Sequence, residues 1–269
     1  MNEGGFYMAR ENTFLFFGEL VGAPVVLFND ETGTYRLNFM LKTVRRNGRE
    51  DFPKISIYSL TEEKAREYIA NLKPGVFVQV RGMVATKMVK KPVQCEGCGQ
   101  VSNINTLVTE IITYGKPFVL NVPINPTEIV EFANVGNLLG AVCTDINRND
   151  TAKGGTAVQF QMAVHRRYKI SELEKEDRTD YPWVKAFGET ANECIKRLQK
   201  SSQIYVTGAF QTRDIQRHVR CSHCGKDLMY TERVGEISPN GIEFLHNCLF
   251  VPREEKQTDS GEGQAHEKA

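Results

Sequence analysis

Apolar side chains recur at every second position from Val158 to Val164 and again from Pro182 to Ala186, the period of a strand with one buried face. In the earlier stretch Val158, Phe160, Met162 and Val164 fall on the core side, leaving Gln159, Gln161, His165 and Arg167 outward. In the later one Pro182, Val184 and Ala186 are the core set, and Tyr181, Trp183, Lys185 and Phe187 share the opposite face. The first half of the chain has a counterpart, with Pro53, Ile55 and Ile57 inward and Phe52, Lys54, Ser56 and Tyr58 outward. A helix is predicted after each such strand: Ala65, Ile69 and Leu72 stand at i, i+4, i+7, as do Ala191, Ile195 and Leu198. Thr190-Ala-Asn-Glu193 reads as a capping box for the second helix.

These elements belong to a series that is written twice. Each half opens with a glycine-spaced apolar strand, Phe17–Gly22 and Val135–Gly140, where glycine marks a bulge or sharp bend. Alternating strands then end in paired arginines, Arg45-Arg46 and Arg166-Arg167. The motif Asp51-Phe-Pro returns as Asp180-Tyr-Pro, Gln79-Val-Arg-Gly82 as Tyr205-Val-Thr-Gly208, and Cys95-Glu-Gly-Cys98-Gly as Cys221-Ser-His-Cys224-Gly, with the same spacing from glycine to cysteine. A duplication in that register means two copies of one fold in tandem. Three strands, a helix, and two more strands (the last near 107–114 and 242–250) is the order of the OB-fold, a small Greek-key barrel. The expected class is therefore all-β with short helices, built as two tandem OB-fold barrels over residues 1–120 and 131–252. Residues 121–130 are the linker. The polar stretch 253–269 cannot bury a core and is expected to be disordered.

The outward row Tyr181, Trp183, Lys185, Phe187 has a specific chemistry. Bases of a single strand stack on aromatic rings, at about 1–3 kcal/mol each, and an ammonium answers a phosphate. Phe52, Lys54 and Tyr58 offer the same in the first half. The competing reading is that both faces are buried and the rings pack beneath a loop, which an unpaired lysine would make costly. Arginine pairs are often plain solvated surface; the recurrence of Arg45-Arg46 at Arg166-Arg167 favours phosphate contacts.

The ordered series resembles the bacterial single-stranded DNA-binding protein family. The second half carries it most closely, through Val135-Gly-Asn-Leu, Phe187-Gly188, Ser202-Gln-Ile-Tyr-Val-Thr-Gly208 and Thr212-Arg213. The resemblance implies sequence-tolerant binding of single-stranded DNA without catalysis, in replication, recombination or plasmid and phage transfer. It assigns stacking roles to Tyr168, Tyr181 and Phe187, and to Phe52 and Tyr58. Asn47 stands where Tyr168 would be, so the first half is expected to bind more weakly. It also implies four OB units per particle, hence a homodimer of this chain. Two departures matter. The ending Ala265-His-Glu-Lys-Ala269 lacks the family's acidic tip with its terminal Phe, and the cysteine pairs are foreign to the usual pattern, which suggests a phage or mobile-element variant.

Seven cysteines, four of them in C-x-x-C pairs, read as metal ligands in a reducing cytoplasm rather than a disulfide framework. Structural zinc takes four ligands, and neither half completes a set alone. The economical arrangement places Cys95, Cys98, Cys221 and Cys224 around one structural Zn2+ that joins the barrels. Zinc shared between two chains, a redox pair, or a ligand from His218 or His223 are the alternatives. Cys143, Cys194 and Cys248 sit among apolar residues and are expected in the core. The net charge of +1 neither supports nor opposes a nucleic-acid partner. No metalloprotease, phosphate-loop or catalytic-triad series is present, and no apolar run approaches the length of a membrane span. Besides single-stranded DNA binding, the same features fit an RNA- or tRNA-binding OB protein or a zinc-stapled protein-interaction module.

Overall fold

The computed structural model describes residues 11–122, 124–151, 154–166, 168, 170 and 178–250. Arg167 and the stretch 253–269 lie outside them. In the first half, β1 (Asn12–Asn29), β2 (Thr34–Val44), β3 (Glu50–Asp51) and β4 (Lys54–Leu60) precede α1 (Glu62–Asn71), which is followed by β5 (Phe77–Gln94), β6 (Val101–Thr113) and β7 (Phe118–Leu120). The second half contains β8 (Asn134–Val142), β9 (Asn147–Asp150), β10 (Thr156–His165), β11 (Thr179–Asp180), β12 (Trp183–Phe187), α2 (Gly188–Arg197), β13 (Gln203–Arg220) and β14 (Asp227–His246).

The pairings close a five-strand ring in each half. β1 pairs with β2, β2 with β4, β4 in parallel with β6, β6 with β5, and β5 back to β1. The second ring runs β8, β10, β12, β14, β13 and back to β8, again with one parallel contact, Val184 opposite Ile237. Helix α1 is capped by the Thr61 hydroxyl, which accepts from the Lys64 N–H, and it buries Ala65 and Leu72. Helix α2 differs from the sequence expectation. It starts at Gly188, whose φ of +59° suits glycine, so Thr190 lies inside the first turn and caps nothing. Its buried stripe is Ala191, Cys194 and Leu198, while Ile195 is exposed. Cys194 is a core residue as expected; Cys143 and Cys248 are half-buried at its margin.

The two rings share one core and one continuous sheet, because β1 pairs antiparallel with β8. Matching positions follow from the registers. Gly18 and Gly140 each pass under a carbonyl of the neighbouring strand, of Lys42 and Ala163, closely enough that a Cβ would collide. This shifts the sequence alignment by four residues: Gly140 corresponds to Gly18, not to Gly22, whose φ of +75° accompanies a register irregularity in β1. On this alignment Phe14 matches Gly136, and the two stand opposite each other at the centre of the seam. The halves are thus related by a local two-fold axis through that pair. Phe14 and Phe16 stack at 5.8 Å, and Phe210 meets both edge-on, so the aromatic cluster spans the seam.

Beyond the rings, β5–β6 and β13–β14 continue as long two-stranded arms. The expectation of last strands near 107–114 and 242–250 misses these arms, since β6 begins at Val101 and β14 at Asp227, and the arms place the C-x-x-C turns at their tips.

Candidate nucleic-acid interface and metal centre

In β12 the alternation is as the sequence indicates. Val184 and Ala186 are fully buried, Trp183 and Lys185 are half-buried, and Phe187 is exposed. Lys185 Nζ lies 5.5 Å from the Phe187 ring centroid, and Tyr181 is 40% exposed at the start of the row. The neighbouring β10 buries Val158, Phe160, Met162 and Val164 and pairs Gln161 with Trp183 and Gln159 with Lys185. Tyr168 is exposed and packs against Tyr114 of the first half, ring centroids 5.3 Å apart.

The first half breaks the expected symmetry. Ser56 is fully buried and Tyr58 nearly so, and neither offers an outward surface. The cause is Glu110, a buried carboxylate on β6. It accepts hydrogen bonds from Ser56 Oγ (2.8 Å), Tyr58 Oη (2.7 Å) and Lys87 Nζ (2.6 Å), and Lys54 Nζ stands 3.8 Å away. Burial alone would raise the Glu110 pKa; the Lys87 charge and the three hydrogen bonds more than reverse this and hold it below its ordinary value. Burial and the Glu110 charge push the Tyr58 phenol up. Tyr58 also packs with Met83, Ala85, Ile112 and Ile170. Phe52 is half-buried, with the Arg233 guanidinium 4.8 Å over its ring.

Arg45 and Arg166 are held by ion pairs within the fold. Arg166 is buried and ion-paired with Asp180 (2.8 Å), and Arg45 makes a two-pronged pair with Asp51 (2.5 and 2.6 Å). Arg46 stays exposed but is paired with Glu131. The two aspartates lock the halves together reciprocally. Asp51 accepts from the Thr212 N–H at 2.6 Å while the Phe52 N–H donates to Thr212 Oγ1; Asp180 accepts from the Thr86 N–H at 2.7 Å while the Tyr181 N–H donates to Thr86 Oγ1. Burial raises Asp180 to about 6, against the Thr86 hydrogen bonds and Arg166. Sequence reading gave no role to Glu110, Thr86 or Thr212. The two threonines were within reach, each standing four residues beyond the repeated glycine, Gly82 or Gly208.

At the arm tips the sulfurs of Cys95, Cys98, Cys221 and Cys224 all lie within 4.8 Å of one another. Cys95 Sγ is 3.7 Å from Cys224 Sγ, and Cys98 Sγ is 3.8 Å from Cys221 Sγ. A tetrahedral ion with Zn–S bonds of about 2.3 Å sets its sulfurs about 3.8 Å apart, the separation that these two pairs show, so the four thiols suit such an ion. Backbone N–H groups of Cys224 and His223 lower the Cys221 thiol to about 6, which favours the ligating thiolate. His223 thus contributes its backbone rather than its ring to the turn. Lower on the arms, Thr106 hydrogen-bonds Glu232, Arg217 pairs with Glu232 (2.8 Å), and Lys91 lies over the Tyr230 ring at 4.6 Å.

A model of the single-strand binding protein family matches residues 133–224, the segment that carries the exposed aromatic row. The likeness to the single-strand binding protein family thus lies in this segment of the second half. Single-stranded DNA-binding protein 1 of Chlorobaculum tepidum is 34% identical over 76 residues, which cover 28% of this chain and 47% of that protein. The chain therefore spans about half the length of this curated relative. Two crystal structures of the single-stranded DNA binding protein from Thermus aquaticus share the fold. The wild-type form gives a TM-score of 0.60 at 16% identity, covering 92% of this chain and 98% of that one; a deletion mutant gives 0.59 at 17%, covering 92% and 100%. Among the described residues no helix is long and apolar enough to cross a membrane.

Proposed function

We propose that this chain is a non-catalytic, sequence-tolerant binder of single-stranded DNA, made of two OB units in tandem over residues 1–120 and 131–252. The observation that carries the reading is the row Tyr181, Trp183, Lys185 and Phe187, which turns rings and a cation away from a fully buried core row, inside the segment that matches the family. Rings in such a row stack successive bases, and Lys185 answers a phosphate. Such binding protects single strands in replication, recombination or plasmid and phage transfer. One structural zinc per chain, held by Cys95, Cys98, Cys221 and Cys224, clips the arms together; its role is to fix geometry, with no part in any reaction. Two chains associate to give four OB units. The test is titration of dT oligonucleotides, with U oligonucleotides alongside, at two salt concentrations. Quenching of Trp183, the sole tryptophan, by dT is the expected result. Equal or tighter binding of U would move the assignment to RNA, and no quenching with either would overturn it.

A further inference from the structure

The local two-fold generates two grooves where the strand row of one half meets the arm of the other. In one, Phe52 faces the arm of the second half, and Asp214 and Arg233, a cross-strand pair on that arm, line it. Arg233 donates to Asp214 at 2.8 and 3.1 Å and lays its guanidinium over Phe52. The ring face is taken, and the arginine's charge is matched by a carboxylate that would repel phosphate. Further along the same row, Lys54, Ser56 and Tyr58 turn to Glu110.

The two-fold puts Tyr181 at the place of Phe52 in the other. Thr86 anchors it as Thr212 anchors the first. Two residues beyond Thr86, on the same face of the strand, stands Met88 where the first groove has Asp214, and its cross-strand partner Leu107 replaces Arg233. Met88 is 64% exposed and Leu107 half-buried. No ion pair can form between them. A polarisable thioether and a leucine on the strand face of Thr86, which holds the Tyr181 N–H, make a surface for the flat faces of bases, not for phosphates.

We infer that a single strand crosses the molecule by one route only. It runs along Phe187, Trp183 and Tyr181 of the second half and passes onto Met88 and Leu107 of the first half's arm, while the matching route past Phe52 is shut by the Arg233–Asp214 pair. This rests on the proposed binding of single-stranded DNA and adds to it a composite platform to which the first half contributes its arm rather than its own strand row. It also gives the lock between halves a functional consequence, since Asp180 and Thr86 hold the two parts of the platform in register.

The experiment exchanges the two pairs in the full chain. Met88→Asp with Leu107→Arg copies the plug into the open groove at no change in net charge, and should weaken dT binding about tenfold, the loss of roughly one stacked base, with the salt slope unchanged. Asp214→Met with Arg233→Leu removes an exposed ion pair and should lengthen the bound site, an increase that Phe52→Ala then reverses. Oligonucleotide binding by a folded Met88→Asp/Leu107→Arg chain that equals the wild type overturns the route. So does an unchanged site size in the Asp214→Met/Arg233→Leu chain. Absence of dT binding by the wild type overturns the parent reading instead, and this one with it.

Discussion

Phe14 stands opposite Gly136 at the centre of the β1–β8 seam, its ring so near that a Cβ on Gly136 would fall 2.0 Å from it. The two occupy matching positions, and a duplication that kept phenylalanine at both would drive two rings into the same space. Gly136→Ala should therefore destabilise the chain by about 1–3 kcal/mol through overpacking, read from denaturant unfolding. Phe14→Leu in the same chain should recover part of that loss, because a smaller side chain vacates the space. If Gly136→Ala is neutral, the ring does not pack on the seam.

The metal centre gives a stoichiometric expectation. Purified without chelator, the chain should carry one zinc, and Cys221→Ser should lose it. Because the rings close through their own strand pairings and hydrophobic core, that variant should keep its β-structure while hydrogen exchange speeds up along the arms. Two ions per chain, or global unfolding of the variant, would count against a single clip at the tips.

Much of this arrangement was legible in the sequence, and the parts that were not share a cause. Alternation along β10 and β12 identified the buried row correctly because those strands have one covered face. In β4 the same alternation placed Ser56 and Tyr58 outward, but their environment is set by Glu110, a residue over fifty positions away that no local period reports. Arg45 and Arg166 show the same limit: charge on a strand end is visible in sequence, while Asp51 and Asp180, which pair with them, act through the fold. The cysteines were readable because their incompleteness in each half demanded a partner, and the repeat offered only one.

Two buried carboxylates should shape acid stability with opposite signs. Glu110 has its folded pKa held below the ordinary 4.5, so its stabilisation is present above that value and fades as pH falls through the folded pKa. Asp180 has its pKa raised from 3.8 to about 6, so the folded chain binds a proton that the unfolded chain releases, and its contribution declines as pH rises from about 4 to 6. Stability measured against pH should therefore lose its fall at the acid end in Glu110→Gln, and lose a decline between pH 4 and 6 in Asp180→Asn. Identical pH profiles for both variants and the wild type would contradict these shifts.

Tyr58 and Phe187 occupy matching positions, two residues past Ser56 and Lys185, and they should respond to substitution in opposite ways. Phe187 is 45% exposed at the end of the row, so Phe187→Ala removes a stacking surface without opening the core. It should weaken binding to dT by about 1–3 kcal/mol and leave unfolding nearly unchanged. Tyr58→Phe removes only a hydroxyl, yet that oxygen donates to Glu110 at 2.7 Å and accepts from Lys87 at 2.9 Å in a buried site. Its loss leaves a buried carboxylate short of a donor, which should cost about 1–3 kcal/mol of stability and spare affinity per folded molecule. A Tyr58→Phe chain that unfolds normally but binds weakly would return Tyr58 to the contact surface. It would also mean that the first half presents its own row, with Glu110 opening to solvent when the strand arrives.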